Sequence, residues 1–300
     1  MRKYCGQNGS VAEQRNPFAA VTPPPDGRSF RWSVGVRAIE VADWLVVDDS
    51  RHDELVQKDK LMALSPDSVV ATLPEGDSAS GELLALIYDN LAEYHADVFD
   101  VTASAVVDRQ SLRATQFDDR HAIVLGAHMV AEDLCVLTRR GDRWILTAAS
   151  VCFPSRWSLA EKIGRDLSGI HGPVPGYEQR LSGATQQLFD RLEADRPFAR
   201  ANWTLLTTPE LHLPSPGDRQ SLYAVDAGEH LWLRVERQTI RALPESNAAV
   251  FTIHTSVSPL AELGPSRRRE LGATLATVPA DVAEYKGWTG LIDAAISWCS

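Results

Sequence analysis

His171 is the residue whose surroundings most clearly predict chemistry. The segment SRWSLAEKIGRDLSGIH (155–171) has the pattern of an amphipathic helix that ends near Gly169. Its apolar face, at steps of four residues, carries Leu159, Ile163, Leu167 and His171. Proteins present an axial ligand to haem iron as a neutral imidazole held by apolar walls. The alternative is a histidine that interacts with the last carbonyl groups of its helix.

A second candidate group lies on a predicted strand, EHLWLRVERQTIRAL (229–243), where polar residues interrupt an apolar pattern. One face carries Leu231, Leu233, Val235 and Arg237, and the other carries Arg234, Glu236 and Gln238. A guanidinium on the apolar face requires an anionic partner, because an unpaired buried charge is costly. Carboxylates of a cofactor or of the protein could serve. The alternative is a strand that is exposed to solvent.

Two more positions carry weaker patterns. Arg156, in FPSRW, stands at the predicted start of the helix, where a positive charge opposes the helix dipole. That placement suggests contact with an anion, and the alternative is a surface arginine. His254 lies within the predicted strand AAVFTIHTSV (248–257), where a hydrogen-bonded structural histidine is the ordinary role.

Several other chemistries lack their sequence signals. His121 and His128 are seven residues apart and have no third ligand at metal spacing, so zinc has little support. The cysteines form no CxxC pair, which argues against an iron–sulfur cluster or a disulfide framework; they are Cys5, Cys135, Cys152 and Cys299. No GxSxG, GxGxxG or Walker motif supports a hydrolase, a nucleotide-binding protein or a kinase.

The elements that must position these residues alternate between strands and helices. Strands are predicted at 30–40, 133–140, 143–153, 229–243 and 248–257, with a short extended element at 43–48. Helices are predicted at 53–64, from Ser80, at 155–171, at 184–194 and near the C-terminus. Gly141-Asp142 predicts a hairpin turn. The order predicts an α+β fold, with residues 1–28 as a flexible N-terminal segment and residues 29–300 as a single domain with an N-terminal extension.

The net charge and the hydropathy pattern limit the classes of partner and the cellular location that we expect. The net charge is −10 and the pI is near 5.3, so neither nucleic acid nor an anionic membrane surface is an expected partner. The N-terminal residues lack the apolar stretch of a secretory signal, and no run of about 18 apolar residues predicts a membrane span. We therefore expect a soluble, cytoplasmic protein with reduced thiols.

Taken in order, four segments resemble the haem-dependent oxidative N-demethylase family over about residues 30–295; they are AEDLCVL, VCFPSRWSLAEKIGRDLSGIHGPVPGY, ANWTLL and LRVERQTIRALPESNAAVFTIHT. The resemblance implies a PAS-like antiparallel sheet core whose surrounding helices enclose a pocket for haem b, an iron porphyrin. It also implies a monooxygenase that uses O₂ to oxidise a small amine, by N-demethylation or a related oxidation next to nitrogen. Its electrons would come from a separate flavin and iron–sulfur reductase.

The same resemblance suggests roles for individual residues. His171 is the first choice for the axial ligand of the iron, and His254 is the second. Arg156 and Arg237 are candidates for binding the haem propionates. The remaining cofactor-binding candidates, which flank His171 in the motif, are Trp157 and Pro173.

Glu236 is the candidate catalytic residue, because an acidic group is needed to hold a cationic amine or to relay its protons. One rival function is a PAS-like haem sensor without catalysis, although no coiled coil, DNA-binding helix pair or kinase motif supplies an output. Another is a haem oxygenase that acts on a natural-product intermediate. A homo-oligomer is compatible with the sequence.

Overall fold

The computed structural model describes residues 26–31, 33–215 and 227–300. The predicted flexible segment, residues 1–28, therefore lies almost entirely outside the described residues. The strands, in chain order, are β1 (Arg37–Ala38), β2 (Val70–Thr72), β3 (Phe99–Val101), β4 (Ala105–Asp108), β5 (Ala114–Gln116), β6 (Asp133–Arg140), β7 (Arg143–Ser150), β8 (Phe198–Leu206), β9 (Trp232–Leu243) and β10 (Ala248–Pro259).

The helices are α1 (Arg51–Leu64), α2 (Pro66–Val69), α3 (Asp77–Tyr94), α4 (Ala122–Met129), α5 (Leu167–His171), α6 (Tyr177–Arg180), α7 (Ser182–Phe189), α8 (Ala227–His230), α9 (Pro265–Leu275), α10 (Ala280–Tyr285) and α11 (Ile292–Cys299). Short 3-10 turns lie at Val41–Asp43, Pro74–Gly76, Leu159–Glu161 and Leu260–Glu262. None of the described helices has the length and apolar character needed to cross a membrane.

The main sheet has the strand order β1-β8-β9-β10-β6-β7-β2, and every pair in it is antiparallel. Its five central strands belong to the hairpin β6–β7 and the meander β8–β9–β10. The connection between the hairpin and the meander contains α5 to α7. A smaller antiparallel sheet contains β3, β4 and β5. The mixed α+β prediction is confirmed.

Both predicted strand pairs of the main sheet are present. β6 and β7 meet at a turn where Gly141 has φ 64°, a left-handed conformation that glycine adopts without a steric penalty. β9 and β10 pair along their whole length, and residues 244–247 connect them as predicted. Among residues 30–48, apart from residue 32, the strand is limited to Arg37–Ala38, so the strand predicted at 30–40 is much shorter than expected, and the short extended element predicted at 43–48 joins no sheet.

The predicted helix at 155–171 is also wrong. Its residues form the 3-10 turn Leu159–Glu161 and, after a break, the short helix α5. The break is at Gly164, whose φ is 78°, and whose amide donates to the Leu146 carbonyl of β7 at 2.8 Å. Asp166 then caps α5 by accepting from the Gly169 amide at 2.8 Å, so Gly169 lies inside the helix and His171 ends it.

Smaller differences concern helix boundaries. α3 begins at Asp77, and Ser80 lies within its first turns, where its hydroxyl donates to the Gly76 carbonyl at 2.8 Å instead of capping the helix. α1 agrees with the prediction to within two residues, while α7 ends at Phe189, short of the predicted 194. Such shifts at helix ends do not change the layer arrangement.

Two helical layers cover the main sheet. We call one side the α3 face: Leu134, Val136 and Val250 point to it and pack in one core with Leu83 and Ile87 of α3. The C-terminal helices α9 and α11 cover its other end. We call the opposite side the α5 face: it carries Cys135, Leu137, Ile240 and Ala249, which pack with α5 and α7.

Candidate functional site

The predicted site residues divide between the two faces of the sheet. Glu236 and Arg237 are neighbours on β9, so their side chains point to opposite faces. The cross-strand partner of Arg237 is His254, and both side chains lie on the α3 face. Glu236 lies on the α5 face, which is covered by the helix that carries His171. The structure therefore contains two separate buried polar groups.

On the α5 side, His171 has one ring nitrogen occupied and one without a partner. Nδ1 lies 2.8 Å from the Leu167 carbonyl, so it carries the proton, and the ring stacks on Tyr177 with centroids 4.6 Å apart. Nε2 forms no hydrogen bond with any described residue. Burial lowers the pKa of His171, and the charges of Arg200 and Lys162 lower it further. The ring is therefore neutral at pH 7.

A neutral imidazole whose Nδ1 is fixed by a carbonyl has its lone pair on Nε2. Histidine ligands of metals are oriented in this way, because the second nitrogen's hydrogen bond sets both the tautomer and the ring plane. His171 therefore has the chemistry of a ligand. The helix that carries it is shorter than the sequence predicts, but the apolar contacts of Leu167 remain.

Glu236 is held by three side-chain donors. Its Oε1 accepts from Arg234 Nε at 3.1 Å, and its Oε2 accepts from Asn202 Nδ2 at 3.3 Å and Gln238 Nε2 at 3.1 Å. Glu236 as a whole is 9% exposed to solvent. Arg234 is fully buried and also donates to the Leu211 and Phe153 carbonyls, which ties two loops to the sheet. The carboxylate is thus fixed in position with limited access to water.

Arg156 lies in one of these loops and joins it to the C-terminal part of the chain. It lies before Ser158, the N-cap residue of the 3-10 turn Leu159–Glu161, and outside that turn, so the prediction of a helix-start arginine is wrong. Its φ is 64° and its amide donates to the Leu213 carbonyl at 2.7 Å. Its guanidinium donates to the Lys286 carbonyl at 2.6 Å. Gly287 is needed beside it, because φ is 69° there and a Cβ atom would overlap the guanidinium.

Two cations near Glu236 were missed by the sequence analysis. Arg200 lies opposite Gln238 in the β8–β9 register, and its Nε is buried with no hydrogen-bond partner among the described residues. Lys286 donates to the Trp203 carbonyl at 2.7 Å, and burial lowers its pKa to about 8. The alternation of polar and apolar residues in β8 is a sequence signal that could have indicated Arg200.

The α3 face holds the second polar group, around His254. Its Nε2 lies 3.4 Å from Glu54 Oε2, and Glu132 lies nearby. The buried atoms without a hydrogen bond in the described part of the chain include His254 Nδ1 and Nε2, Glu54 Oε2 and Glu132 Oε2. Arg237 donates to the carbonyls of Asp43 and Trp44.

Charge distinguishes the two histidines. Burial lowers the pKa of His254, but the carboxylates of Glu54 and Glu132 raise it by more, so the net shift is upward. Burial raises the pKa of Glu132. An imidazole between two carboxylates favours the protonated form, which has no lone pair for a metal. No group of three or more His, Cys, Asp or Glu side chains within the described residues could hold a metal ion.

The remaining predicted cofactor residues differ in burial. Trp157 is partly buried and packs on the core shared by Leu159 and Leu167. Pro173 is exposed in the turn after α5. The structure thus groups His171, Trp157, Arg156 and Glu236 on one side of the sheet, and it does not bring Pro173 or Arg237 to the polar group there.

The chain also matches a known protein family. Residues 35–296 match the family model described as haem-dependent oxidative N-demethylase, alpha subunit-like. The match includes all of β1 to β10, the helix that carries His171, and both polar groups.

Proposed function

The chain belongs to the haem-dependent oxidative N-demethylase, alpha subunit-like family, and from this membership we propose that it is a monooxygenase that binds haem b on its α5 face and oxidises an amine. The observation that carries the proposal is His171, a neutral imidazole with Nδ1 bonded to a carbonyl and Nε2 without a partner in the described chain. Histidine of this kind is an ordinary axial ligand of haem.

The fold supports the same location. The antiparallel order β8-β9-β10-β6-β7, with helices α5 to α7 between β7 and β8, supports a PAS-like description of the core. Those helices cover the α5 face beside Glu236 and Arg200. A ligand between them and the sheet would have apolar walls from Trp157 and Ile240 and a polar end at the Glu236 group.

The residues of the chain have separate roles in this proposal. When bound, haem would supply the activation of O₂ and the oxidation of a C–H bond next to nitrogen. His171 would hold the iron, and Arg156 would interact with a propionate. Glu236 would attract the ammonium form of the substrate and accept its proton, because a fixed carboxylate with few waters around it is a suitable base. Arg237 and His254 would form the corresponding pair if the haem lay on the α3 face instead.

The first test concerns the cofactor. Protein purified from cells supplied with haem precursors is expected to be coloured, with a Soret band and a pyridine haemochrome of haem b at about one haem per chain. Apoprotein should gain the same band on titration with haemin. Absence of a Soret band after titration would remove the haem proposal.

A second expected result concerns electron supply. The alpha-subunit-like family description is consistent with a partner that delivers electrons, and the sequence has no GxGxxG fingerprint for a nicotinamide cofactor. We expect NADPH alone to give no amine-dependent O₂ consumption, and dithionite or a flavin and iron–sulfur reductase to give it. Sustained NADPH-driven turnover by the pure chain would contradict this expectation.

A further inference from the structure

Arg200 is a partly buried cation to which no described residue offers a hydrogen-bond acceptor. It lies on β8, faces the same side of the sheet as Glu236, and its Nε is excluded from water without a hydrogen bond in the described chain. From this geometry we infer that Arg200, supported by Lys286, binds a carboxylate of the ligand, and that in the proposed function this carboxylate is a haem propionate. The inference rests on the proposed function, and it replaces Arg237 as the second cation at the site.

The balance of charge supports an incoming anion. Glu236 is the carboxylate that neighbours Arg200 and Lys286 within the described residues, and its Oε1 already accepts from Arg234. One carboxylate thus neighbours three cations, although the protein as a whole has a net charge of −10. A local excess of positive charge with limited access to water, in an acidic protein, favours a negatively charged ligand.

The other arginines of the site donate hydrogen bonds to acceptors within the protein. Arg234 is fully buried and bonded to two loop carbonyls and to Glu236, and Arg156 donates to the Lys286 carbonyl. Arg237 donates to carbonyls on the opposite face of the sheet. For Arg200 the described chain supplies no hydrogen-bond acceptor. Its planar group of donors suits a carboxylate, which it can bind through two parallel hydrogen bonds.

An anion at Arg200 would also change the environment of Glu236. At present Arg200 and Lys286 both act on that carboxylate and weaken its attraction for a further cation. A propionate that neutralised them would leave Arg234 as the bonded counter-charge of Glu236. Binding of the carboxylate-bearing ligand would therefore prepare Glu236 to attract an ammonium substrate.

The test compares haemin with haemin dimethyl ester, in which both carboxylates are masked. Wild-type protein should bind haemin more tightly than the ester. Arg200→Gln should weaken haemin binding roughly 10- to 100-fold, the range for a hydrogen bond to a charged group, and should change ester binding by less than about 3-fold. Affinity would be measured by Soret titration and by haem transfer to apomyoglobin. Arg140→Gln, which removes an exposed arginine that pairs with Glu75 on the β6–β7 hairpin, is the matched control.

Stability supplies an independent readout. Apoprotein with Arg200→Gln should unfold at the same or a higher urea concentration than the wild type, because the change removes a guanidinium whose buried Nε has no hydrogen bond to any described residue. Arg200→Lys, which keeps the charge without the planar donors, should bind haemin with intermediate affinity.

The outcomes separate this inference from the proposed function. A wild type that binds haemin while Arg200→Gln binds it equally well overturns the Arg200 assignment alone. A strongly destabilised or insoluble apoprotein in both Arg200 variants also overturns it, because Arg200 would then be needed by the fold. A wild type that binds neither haemin nor its ester overturns the proposed function together with this inference.

Discussion

His171→Ala is expected to weaken haem binding by more than about 100-fold, or to leave a species with a different Soret maximum. The removal of even a hydrogen-bonded partner of a metal ligand costs about 10- to 100-fold in affinity, and loss of the ligand should cost more. The side chain lies at the end of α5, and among the described residues its one hydrogen bond is that of Nδ1 to Leu167, so the fold should survive. Optical titration with haemin and the haem content of purified protein measure the effect.

His254→Ala is the matched control, because it removes a buried histidine from the opposite face of the sheet. It should retain the wild-type spectrum, although its fold should be less stable, since Glu54 and Glu132 lose the cation between them. A normal spectrum for His171→Ala with a lost spectrum for His254→Ala would move the site to the α3 face, where Arg237 would be its arginine. Normal spectra for both variants would exclude both histidines.

Two refinements make the His171 assignment sharper. His171→Gly with imidazole in the buffer should recover much of the lost haem affinity, because free imidazole can replace the missing ligand. Burial lowers the pKa of His171 below its ordinary value of 6.5, so protonation should compete with the iron only below that pH. Haem release that begins above pH 6.5 would contradict a neutral His171 ligand.

The strands near the site were predictable from local sequence, and the helix that carries His171 was not. Alternating residues and a glycine turn are local signals, and they sufficed for β6–β7 and for β9–β10. The apolar spacing from Leu159 to His171 is also a local signal, and it predicts a helix. The hydrogen bonds of Gly164–Asp166 to β7 are not local, because their partners lie about 20 residues earlier in the chain. Tertiary pairing replaced the helical hydrogen bonds there.

The grouping of site residues was only half predictable. The strand period correctly separates Glu236 from Arg237, but it does not tell which face meets the helices between β7 and β8. The partners of His254 come from α1 and from the residue before β6, which are distant in sequence. Arg200 lies in an alternating polar and apolar pattern that is common in strands. What distinguishes it is a buried Nε without a hydrogen bond to any described residue, which only the structure reveals.

The chemistry itself predicts a large effect at Glu236. A small secondary or tertiary amine is cationic at neutral pH, so its oxidation requires a group that attracts the cation and accepts a proton. Glu236→Gln should retain haem and lose about 100-fold or more of amine-dependent aldehyde release, because general acid–base groups contribute roughly 10²- to 10⁴-fold. kcat and KM for aldehyde release, measured with a chemical reductant or a partner reductase, would separate proton transfer from substrate attraction.

The fold should tolerate this change. Arg234, the charged partner of Glu236, keeps the Leu211 and Phe153 carbonyls and the Thr255 hydroxyl as acceptors. We therefore expect a loss of about 1–3 kcal/mol in the free energy of unfolding, the range for one hydrogen bond to a charged group. Urea unfolding of the haem-bound variant measures it, and a wild-type Soret band shows that the cofactor site is intact.

Glu54→Gln is the control for the loss of a buried carboxylate, because Glu54 lies beside His254 on the α3 face. It should keep near wild-type turnover. Equal losses in both variants would indicate a general effect of charge, and parent rates in Glu236→Gln would make Glu236 a structural partner of Arg234, Asn202 and Gln238. If wild type and Glu236→Gln both bind O₂ reversibly and neither releases aldehyde from any simple amine, that outcome would contradict amine oxidation and favour a haem sensor. A loss confined to Glu236→Gln, in kcat as well as KM, would identify its carboxylate as the group that binds and deprotonates the amine.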